Sequence, residues 1–177
     1  MARVPDLFLS VSATTREMRP DEVDGHDYHF LSKGTFTQRI RKHLFLEWAE
    51  YAGNLYGTPK KAVQENLEAG RDVILEIELK GAKKVLAKRP EALMVFIIPP
   101  SLEELERRLR SRGTDSEEAI QRRLARAKEE IPEVEKILGE GRPLHYGIVN
   151  DSVERASEQL AGIIERIRDE DEQADRR

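Results

Sequence analysis

Two apolar runs constrain the fold of this chain more than any other feature of its sequence. They occupy residues 73–79 and 92–98, and the second is continuously apolar, as strands covered by helices on both faces are. Between them, residues 81–89 have the pattern of a short helix that ends before Pro90. Apolar strands that alternate with amphipathic helices predict a parallel α/β sheet.

Shorter strands are predicted on either side of these runs. Strand-forming residues bounded by turn signals favour strands at residues 7–13, 28–30, 45–51 and 145–150. The cluster at residues 27–57 has an antiparallel character. We therefore interpret it as a subdomain inserted into the parallel sheet.

Capping patterns predict where several helices begin. Thr58 followed by Pro59 has the form of an N-cap and a first helical residue. The spacing of a capping box also begins helices at Ser101, Thr114 and Asp151. The charged segment at residues 169–177 is expected to fray.

Composition limits the class of protein and its partners. The chain has 177 residues, a net charge of −4 and no cysteine, so we expect one domain spanning residues 1–177, without disulfides. The acidic balance argues against binding to nucleic acid or to an anionic membrane. The start has no apolar leader and no stretch approaches about 20 apolar residues, which favours a cytoplasmic protein. The four histidines lack metal-ligand spacing, so no protein-ligated metal is predicted.

Two arginines give the first indication of an anion site. Arg16 and Arg19 lie in a loop that directly follows a predicted strand, where their guanidinium groups can grip a phosphate bidentately. By themselves these residues are weak evidence, and solvated surface charges explain them better. The interpretation therefore depends on the segments that follow them.

Those segments resemble a known family. The chain carries Ser10-Val-Ser-Ala-Thr-Thr-Arg16, Glu22-Val-Asp-Gly, Asp27-Tyr-His-Phe, Phe45-Leu-Glu-Trp and Tyr56-Gly-Thr-Pro. In this order and approximate spacing they resemble the guanylate kinase family. The likeness continues through residues 74–81, 98–105, 112–118 and 148–151, so it covers nearly the whole chain.

The resemblance implies a fold and an organisation. The fold would be an α/β, parallel-sheet nucleoside monophosphate kinase fold of the P-loop NTPase type, missing its first strand. Residues 14–58 would form a small, β-rich GMP-binding subdomain and residues 101–131 a helical lid. The remainder would be the core.

The resemblance also implies roles for individual residues. The GMP phosphate would be held by Arg16, Arg19, Tyr28 and Tyr56, and guanine would be read by Glu47 with Ser12, Gly57 and Thr58 beside it. Glu76 and Glu78, at the end of the strand at residues 73–79, would lie near GMP and the metal-bearing phosphates. The family has aspartate where Glu78 stands and glutamine where Lys80 stands.

Three arginines and one asparagine match positions on the donor side. Arg108, Arg112 and Arg123 correspond to the lid arginines that act on the transferring phosphoryl group, and Asn150 to a position near the adenine of ATP. Arg108 and Arg112 are four residues apart and share one helix face. Without the resemblance, the same arginines among many glutamates describe a salt-bridged, solvated pair of helices.

One expected motif is not in the sequence. No Gly-x-x-x-x-Gly-Lys-Ser/Thr loop, which cradles the donor phosphates, occurs in the 177 residues. In the family this loop precedes the strand at residues 7–13, so the chain as given is expected to be truncated and impaired. A mis-set start and a real loss both fit, and the sequence assigns no purpose to residues 139–143.

The resemblance implies an enzyme, with one alternative. The enzyme would transfer a phosphoryl group from ATP, which carries Mg²⁺ on its phosphates, to GMP in purine nucleotide metabolism. The alternative is a catalytically silent guanylate-kinase-like module that binds GMP or a phosphorylated protein. The sequence does not predict an oligomeric state.

Overall fold

The computed structural model describes residues 4–113 and 115–176, and the chain divides into two compact units. The N-terminal unit is Asp6–Ala92. The C-terminal unit is Leu93–Arg177, together with Met1–Pro5. In the part of the chain that is described, no helix is long and apolar enough to cross a membrane.

The N-terminal unit contains six strands and three helices. The strands are β1 (Leu7–Leu9), β2 (Ala13–Thr14), β3 (His29–Phe30), β4 (Phe45–Tyr51), β5 (Asn54–Pro59) and β6 (Asp72–Ile74). The helices are α1 (Lys33–Arg41), α2 (Lys60–Glu68) and α3 (Leu79–Lys88). β1 and β6 form a parallel pair in which Leu7 lies opposite Asp72.

The other four strands form one sheet in the order β3-β2-β5-β4. β5 runs antiparallel to both of its neighbours, β2 and β4. On β4, Phe45, Glu47 and Ala49 are buried while Trp48 and Glu50 are exposed, so one face of this strand is covered. Phe36 of α1 is fully buried and stacks on Phe45, with ring centroids 4.5 Å apart.

Two sequence predictions in this unit are wrong. The strand predicted at residues 73–79 ends at Ile74, and α3 already begins at Leu79, because Gly81 and Val85 pack one helical turn apart on the unit's interior. Thr58 is not a helix N-cap. It lies in β5, and α2 begins after Pro59 without a side-chain cap, because the Thr58 hydroxyl is already used inside the sheet.

The C-terminal unit is built on a second parallel pair. β7 (Met94–Ile98) and β8 (His145–Val149) pair along their whole length, with Met94 opposite His145. The helices are α4 (Leu102–Arg112), α5 (Glu117–Gly139) and α6 (Val153–Asp175). Parallel strands interleaved with helices therefore confirm the predicted α/β class.

Serine side chains cap all three of these helices. Ser101 accepts a hydrogen bond from the Glu104 amide, as its spacing predicted. Ser116 and Ser152 cap α5 and α6, one or two residues after the predicted cap positions. Thr114, predicted to begin the capping box of α5, lies outside the described residues.

Two further expectations for the C-terminal unit are wrong. α6 continues to Asp175, so most of the charged segment that was expected to fray is helical. The apolar run at residues 92–98 is not covered on both faces, because Ile97 keeps 52% of its surface exposed. Val149 on the neighbouring strand β8 is similarly exposed, at 51%. Met94 and Phe96 form the buried face of β7.

Candidate functional site

A buried carboxylate and a buried hydroxyl form the centre of the site in the N-terminal unit. Glu47 and Thr58 lie opposite each other on β4 and β5, and are 4% and 0% exposed. The Thr58 hydroxyl donates a hydrogen bond to Glu47 Oε1 at 2.8 Å. An ionised carboxylate has about four acceptor positions, so this bond leaves capacity for further donors.

A helix backbone lies close to the same carboxylate. A Cβ placed on Gly81 of α3 would come within 2.6 Å of Glu47 Oε2. Gly81 therefore allows α3 to approach at a distance that a side chain would prevent. Burial raises the pKa of Glu47, and the hydrogen bond from Thr58 partly opposes that rise.

In the same unit, an arginine is held in a planar fork. Arg16 donates from Nη1 and Nη2 to the two carboxylate oxygens of Glu22, at 2.9 and 2.6 Å. The Arg19 amide donates to Glu22 Oε2 at 2.7 Å. These bonds hold the pKa of Glu22 below its usual range, with the Arg16 side chain as the main cause.

Aromatic rings surround the Arg16 guanidinium. Its central carbon lies 5.4 Å from the ring centroid of Tyr28 and 5.6 Å from that of Phe30. Tyr28 packs edge-on against Tyr56, with ring centroids 6.1 Å apart. The structure therefore brings together Arg16, Tyr28 and Tyr56, which are 40 residues apart at the extremes, and places cationic and phenolic donors around one point.

β5 connects this cluster to the buried carboxylate. Tyr56 and Thr58 are two residues apart on the strand, so their side chains project from the same face. Gly57 between them is buried, and a Cβ there would meet Phe45, Phe36 and Trp48 side-chain atoms at 3.0–3.1 Å. Glycine at this position lets the sheet close over Phe36.

The remaining residues proposed for this unit lie at its margins. Ser12 precedes β2 and is half-buried, and its carbonyl accepts from the His29 amide at 2.9 Å. Burial raises the pKa of Tyr28, and the charge of exposed Glu76 adds to that rise, so Glu76 lies near the phenol. Glu78 is the N-cap residue of α3, without a side-chain cap bond.

The prediction that Glu76 and Glu78 end a strand is wrong. β6 ends two residues before Glu76 and four before Glu78. The last ladder bond runs from the Ser10 amide to the Ile74 carbonyl, and the chain then turns into α3. Both carboxylates therefore belong to the connection between β6 and α3.

In the C-terminal unit, Arg108 of α4 ties its helix to the end of β8. It donates from Nη1 to the Asn150 carbonyl at 2.8 Å and from Nη2 to the Asp151 carbonyl at 3.3 Å. Its Nε donates to Glu104, whose pKa is lowered to about 2 by Arg107 and Arg108. Asn150 thus contributes its backbone, rather than its side chain, to a contact with Arg108.

The two other arginines of the predicted lid occupy separate positions in this unit. Arg123 of α5 donates to Asp115 at 2.8 Å, and that carboxylate is 12% exposed. Arg112 is exposed in the last turn of α4, before Gly113, which ends the helix with a φ of 66°. Among the described residues, Arg108 and Arg123 therefore bond to different partners.

Glu22 is the residue that sequence reasoning missed. It was recognised as part of a motif, but no role was assigned to it. The available signal was its distance of six residues from Arg16 across a turn that contains Pro20, because such a loop can fold back on itself. The structure shows that Glu22 organises both loop arginines.

Comparisons with known proteins agree over nearly the whole chain. A family model described as guanylate kinase matches residues 1–167. The guanylate kinase of Rubrobacter xylanophilus is 56% identical over 164 residues, which cover 93% of this chain and 82% of that protein. The guanylate kinase of Trichormus variabilis is 50% identical over 160 residues, covering 90% of this chain and 77% of the relative.

A solved structure has the same fold. The crystal structure of guanylate kinase from Anaplasma phagocytophilum matches with a TM-score of 0.72 and 30% sequence identity, covering 93% of this chain and 77% of that chain. Sequence and fold therefore lead to one assignment. This chain belongs to the guanylate kinase family.

Proposed function

We propose that the N-terminal unit binds GMP, with guanine at Glu47 and Thr58 and the phosphate at Arg16, Arg19, Tyr28 and Tyr56. The observation that carries this proposal is the buried Glu47–Thr58 hydrogen bond at 2.8 Å. An ionised Glu47 accepts from the N1–H and the exocyclic amine of guanine. Adenine has no N1–H and presents an amine where guanine has O6, so it leaves the buried groups unpaired.

At the phosphate end of the proposed site, Glu22 orients Arg16 through two of its five N–H donors, which leaves others for a phosphate. Glu22 holds the guanidinium by two bonds, and a phosphate is an acceptor of the same bidentate kind. Tyr28 and Tyr56 add phenolic donors on the same side. GMP therefore meets a guanidinium that is already oriented, which lowers the entropy lost on binding.

The proposed reaction is transfer of the γ-phosphoryl group of ATP to the phosphate of GMP, which yields GDP and ADP. Mg²⁺ enters on the phosphates of ATP, as part of the substrate. Arg108, Arg112 and Arg123 supply positive charge to the transferring group, and Asn150 contributes to adenine binding. Catalysis of this kind consists mainly of positioning and charge stabilisation.

The donor phosphates require a further element. The 177 residues contain no Gly-x-x-x-x-Gly-Lys-Ser/Thr sequence, whose amides and lysine cradle those phosphates. We therefore assign the acceptor half of a cytoplasmic kinase site to these residues. We expect strong GMP binding but impaired turnover from the 177-residue chain.

The test is a coupled assay of ADP formation with ATP, Mg²⁺ and GMP, run beside a calorimetric GMP titration. A second protein extends the chain with a strand, a phosphate-binding loop and a helix. GMP binding by both, with turnover only in the extended protein, supports the proposal. Rapid turnover by the 177-residue chain contradicts the donor-side argument, and absence of GMP binding contradicts the acceptor site.

The alternative is a module that binds without catalysing. The absence of the phosphate-binding Gly-x-x-x-x-Gly-Lys-Ser/Thr motif from the 177 residues favours it. An extended chain that binds GMP but forms no ADP supports this alternative. Loss of ADP formation in Arg108→Met of an active extended chain supports the kinase instead.

A further inference from the structure

β4, which carries Glu47, is an edge strand of its sheet. An edge strand has backbone groups without a ladder partner, and these need another donor or acceptor. On either side of Glu47, the carbonyls of Leu46 and Trp48 are such groups. Lys88 donates to the Leu46 carbonyl at 2.7 Å and Lys84 to the Trp48 carbonyl at 2.5 Å.

Both lysines belong to α3 and share one face with Gly81. Residues 81, 84 and 88 are three and four positions apart, so they follow one another along one side of the helix. Gly81 lies against the Glu47 carboxylate, and the lysines bond to the carbonyls that flank it. Lys84 Nζ also lies 4.8 Å from the ring centroid of Trp48.

We propose that Lys84 and Lys88 are positioning residues for Glu47, and thereby determine the selectivity of the site for guanine. The inference rests on the proposed function of Glu47. The lysines fix the backbone of β4 on both sides of the carboxylate, and Gly81 admits the helix that carries them. Glu47 is then held by Thr58 from β5 and by the α3 face from the other side.

The positive charges of the lysines also favour the ionised form of Glu47. Burial raises the pKa of Glu47, whereas Thr58 and the positive charges of Lys84 and Lys88 lower it. These lysines from α3, together with the side chain and backbone of Thr58 in β5, are the groups that lower the pKa of the carboxylate. Removal of the lysines therefore raises the pKa of Glu47 further. As the pH falls, the variant then loses the ionised form that guanine requires at a higher pH than the unmodified chain does.

The lysines are long, exposed side chains, but their contacts differ from ordinary surface charges. Each ammonium is anchored to a backbone carbonyl across 36 and 42 residues of sequence, respectively. Lys61 of α2 is a contrasting case, because among the described residues it pairs with Glu65 on its own helix, and its side chain is 86% exposed. Lys61→Met is therefore a control that removes one lysine charge from the same unit without touching β4.

The experiment uses the full 177-residue chain and the variants Lys84→Met with Lys88→Met, Lys84→Arg with Lys88→Arg, and Lys61→Met. GMP and IMP are titrated, since IMP lacks only the exocyclic amine. In the double Met variant we expect GMP affinity to fall about tenfold and the GMP-to-IMP ratio to approach one, because Glu47 is no longer held in place. The Arg pair keeps charge and donors, and should retain the ratio.

A second measurement does not depend on nucleotide. The carboxyl groups of glutamate are labelled with carbon-13 and titrated by NMR, with Glu47 assigned by loss of its signal in Glu47→Gln. We expect the Glu47 titration to move to higher pH in the double Met variant and to stay in place in Lys61→Met. An unchanged Glu47 titration, or equal losses of GMP and IMP affinity, overturns the inference.

The outcomes also separate this inference from the function on which it rests. If Glu47→Gln leaves the GMP-to-IMP ratio unchanged, the proposed guanine site is wrong and the inference falls with it. If Glu47→Gln abolishes the preference for GMP over IMP while the double Met variant retains it, only the role of the lysines is wrong. If the Met pair does not fold, loss of the ratio in the folded Arg pair still overturns the role.

Discussion

The two units hold their arginines in different surroundings. In the N-terminal unit, the Arg16 side chain is 18% exposed, lies among aromatic rings and forks onto a Glu22 that is 12% exposed. In the C-terminal unit, the Arg110 side chain is 44% exposed and pairs with Glu106 and Glu117 on helix surfaces. The first arrangement is half-buried and shared with a cluster, whereas the second is solvated.

This difference separates a prepared binding site from a surface that can rearrange. Exposed ion pairs contribute about 0–1 kcal/mol each, so they are exchanged easily for other partners. Half-buried forks and buried hydrogen bonds are costly to break, because their groups have already lost water. We therefore expect substitution of Arg16 to affect ligand binding, and substitution of an exposed arginine such as Arg110 to change stability little.

The largest expected effect is that of Glu47→Gln. Loss of a charged acceptor for two guanine donors should weaken GMP binding about a hundredfold. The same change removes a charge from a buried position, so the chain without nucleotide should unfold at a higher temperature at neutral pH. Calorimetric titration and thermal unfolding measure both effects.

Glu50→Gln is the control for that prediction. Glu50 lies on the same strand but on its exposed face. It should change neither GMP affinity nor the unfolding temperature appreciably. An equal loss of GMP affinity in both variants would show that strand charge in general, rather than Glu47, attracts the nucleotide.

The next effect concerns the phosphate end. Arg16→Met should lower GMP affinity at least about tenfold, because a bidentate charged contact is lost. Guanosine, which has no phosphate, should bind both proteins similarly. Arg71→Met removes an exposed charge from the same unit and serves as the control. A matching loss of guanosine affinity in Arg16→Met would mean that Arg16 supports the fold of the site rather than the phosphate.

Replacing one glycine in each unit by alanine compares how tightly the two positions are packed. Gly57→Ala should destabilise the protein by about 1–3 kcal/mol, because the added methyl group is overpacked against aromatic side chains. Gly162→Ala in α6 should stabilise it by about 0.5–1 kcal/mol, because no atom lies within 4 Å of the new Cβ and alanine favours helix. Denaturant unfolding measures both. Opposite signs are expected, and two losses of similar size would contradict the packing described for α6.

The smallest expected effect is on the C-terminal unit. Arg108→Met should lower stability by about 1 kcal/mol through loss of its bonds to the Asn150 and Asp151 carbonyls. Arg107→Met removes a neighbouring arginine that pairs with Glu104, and should cost less. Thermal unfolding of the two variants provides the comparison. Equal costs would mean that the carbonyl contacts of Arg108 contribute nothing.

The sequence predicted some of the elements that carry the candidate site well and others poorly, for identifiable reasons. Strand-forming residues bounded by turn signals predicted β4 with its observed bounds, although its composition did not predict that Glu47 is buried and Trp48 exposed. Thr58 was taken for a helix cap, since hydroxyl residues before proline have that pattern. Its actual partner, Glu47, lies 11 residues away across a strand pair that local propensity does not specify.

Contacts between distant elements were the least predictable. The apolar run at residues 73–79 was predicted to be a single strand, but the burial of Gly81 and Val85 favours a helix that begins at Leu79. Lys84 and Lys88 read as ordinary helix-surface lysines, and only the docking of α3 on β4 shows where their ammonium groups bond. Such contacts depend on tertiary packing, which overrides the local pattern.

The central claim is that a buried Glu47 selects guanine. Titration of the 177-residue chain with GMP and with AMP at neutral pH by calorimetry tests it most directly. We expect saturable binding of GMP and an affinity for AMP that is lower by about a hundredfold or more, because adenine leaves the buried carboxylate without its donors. Equal affinities for GMP and AMP would contradict the account.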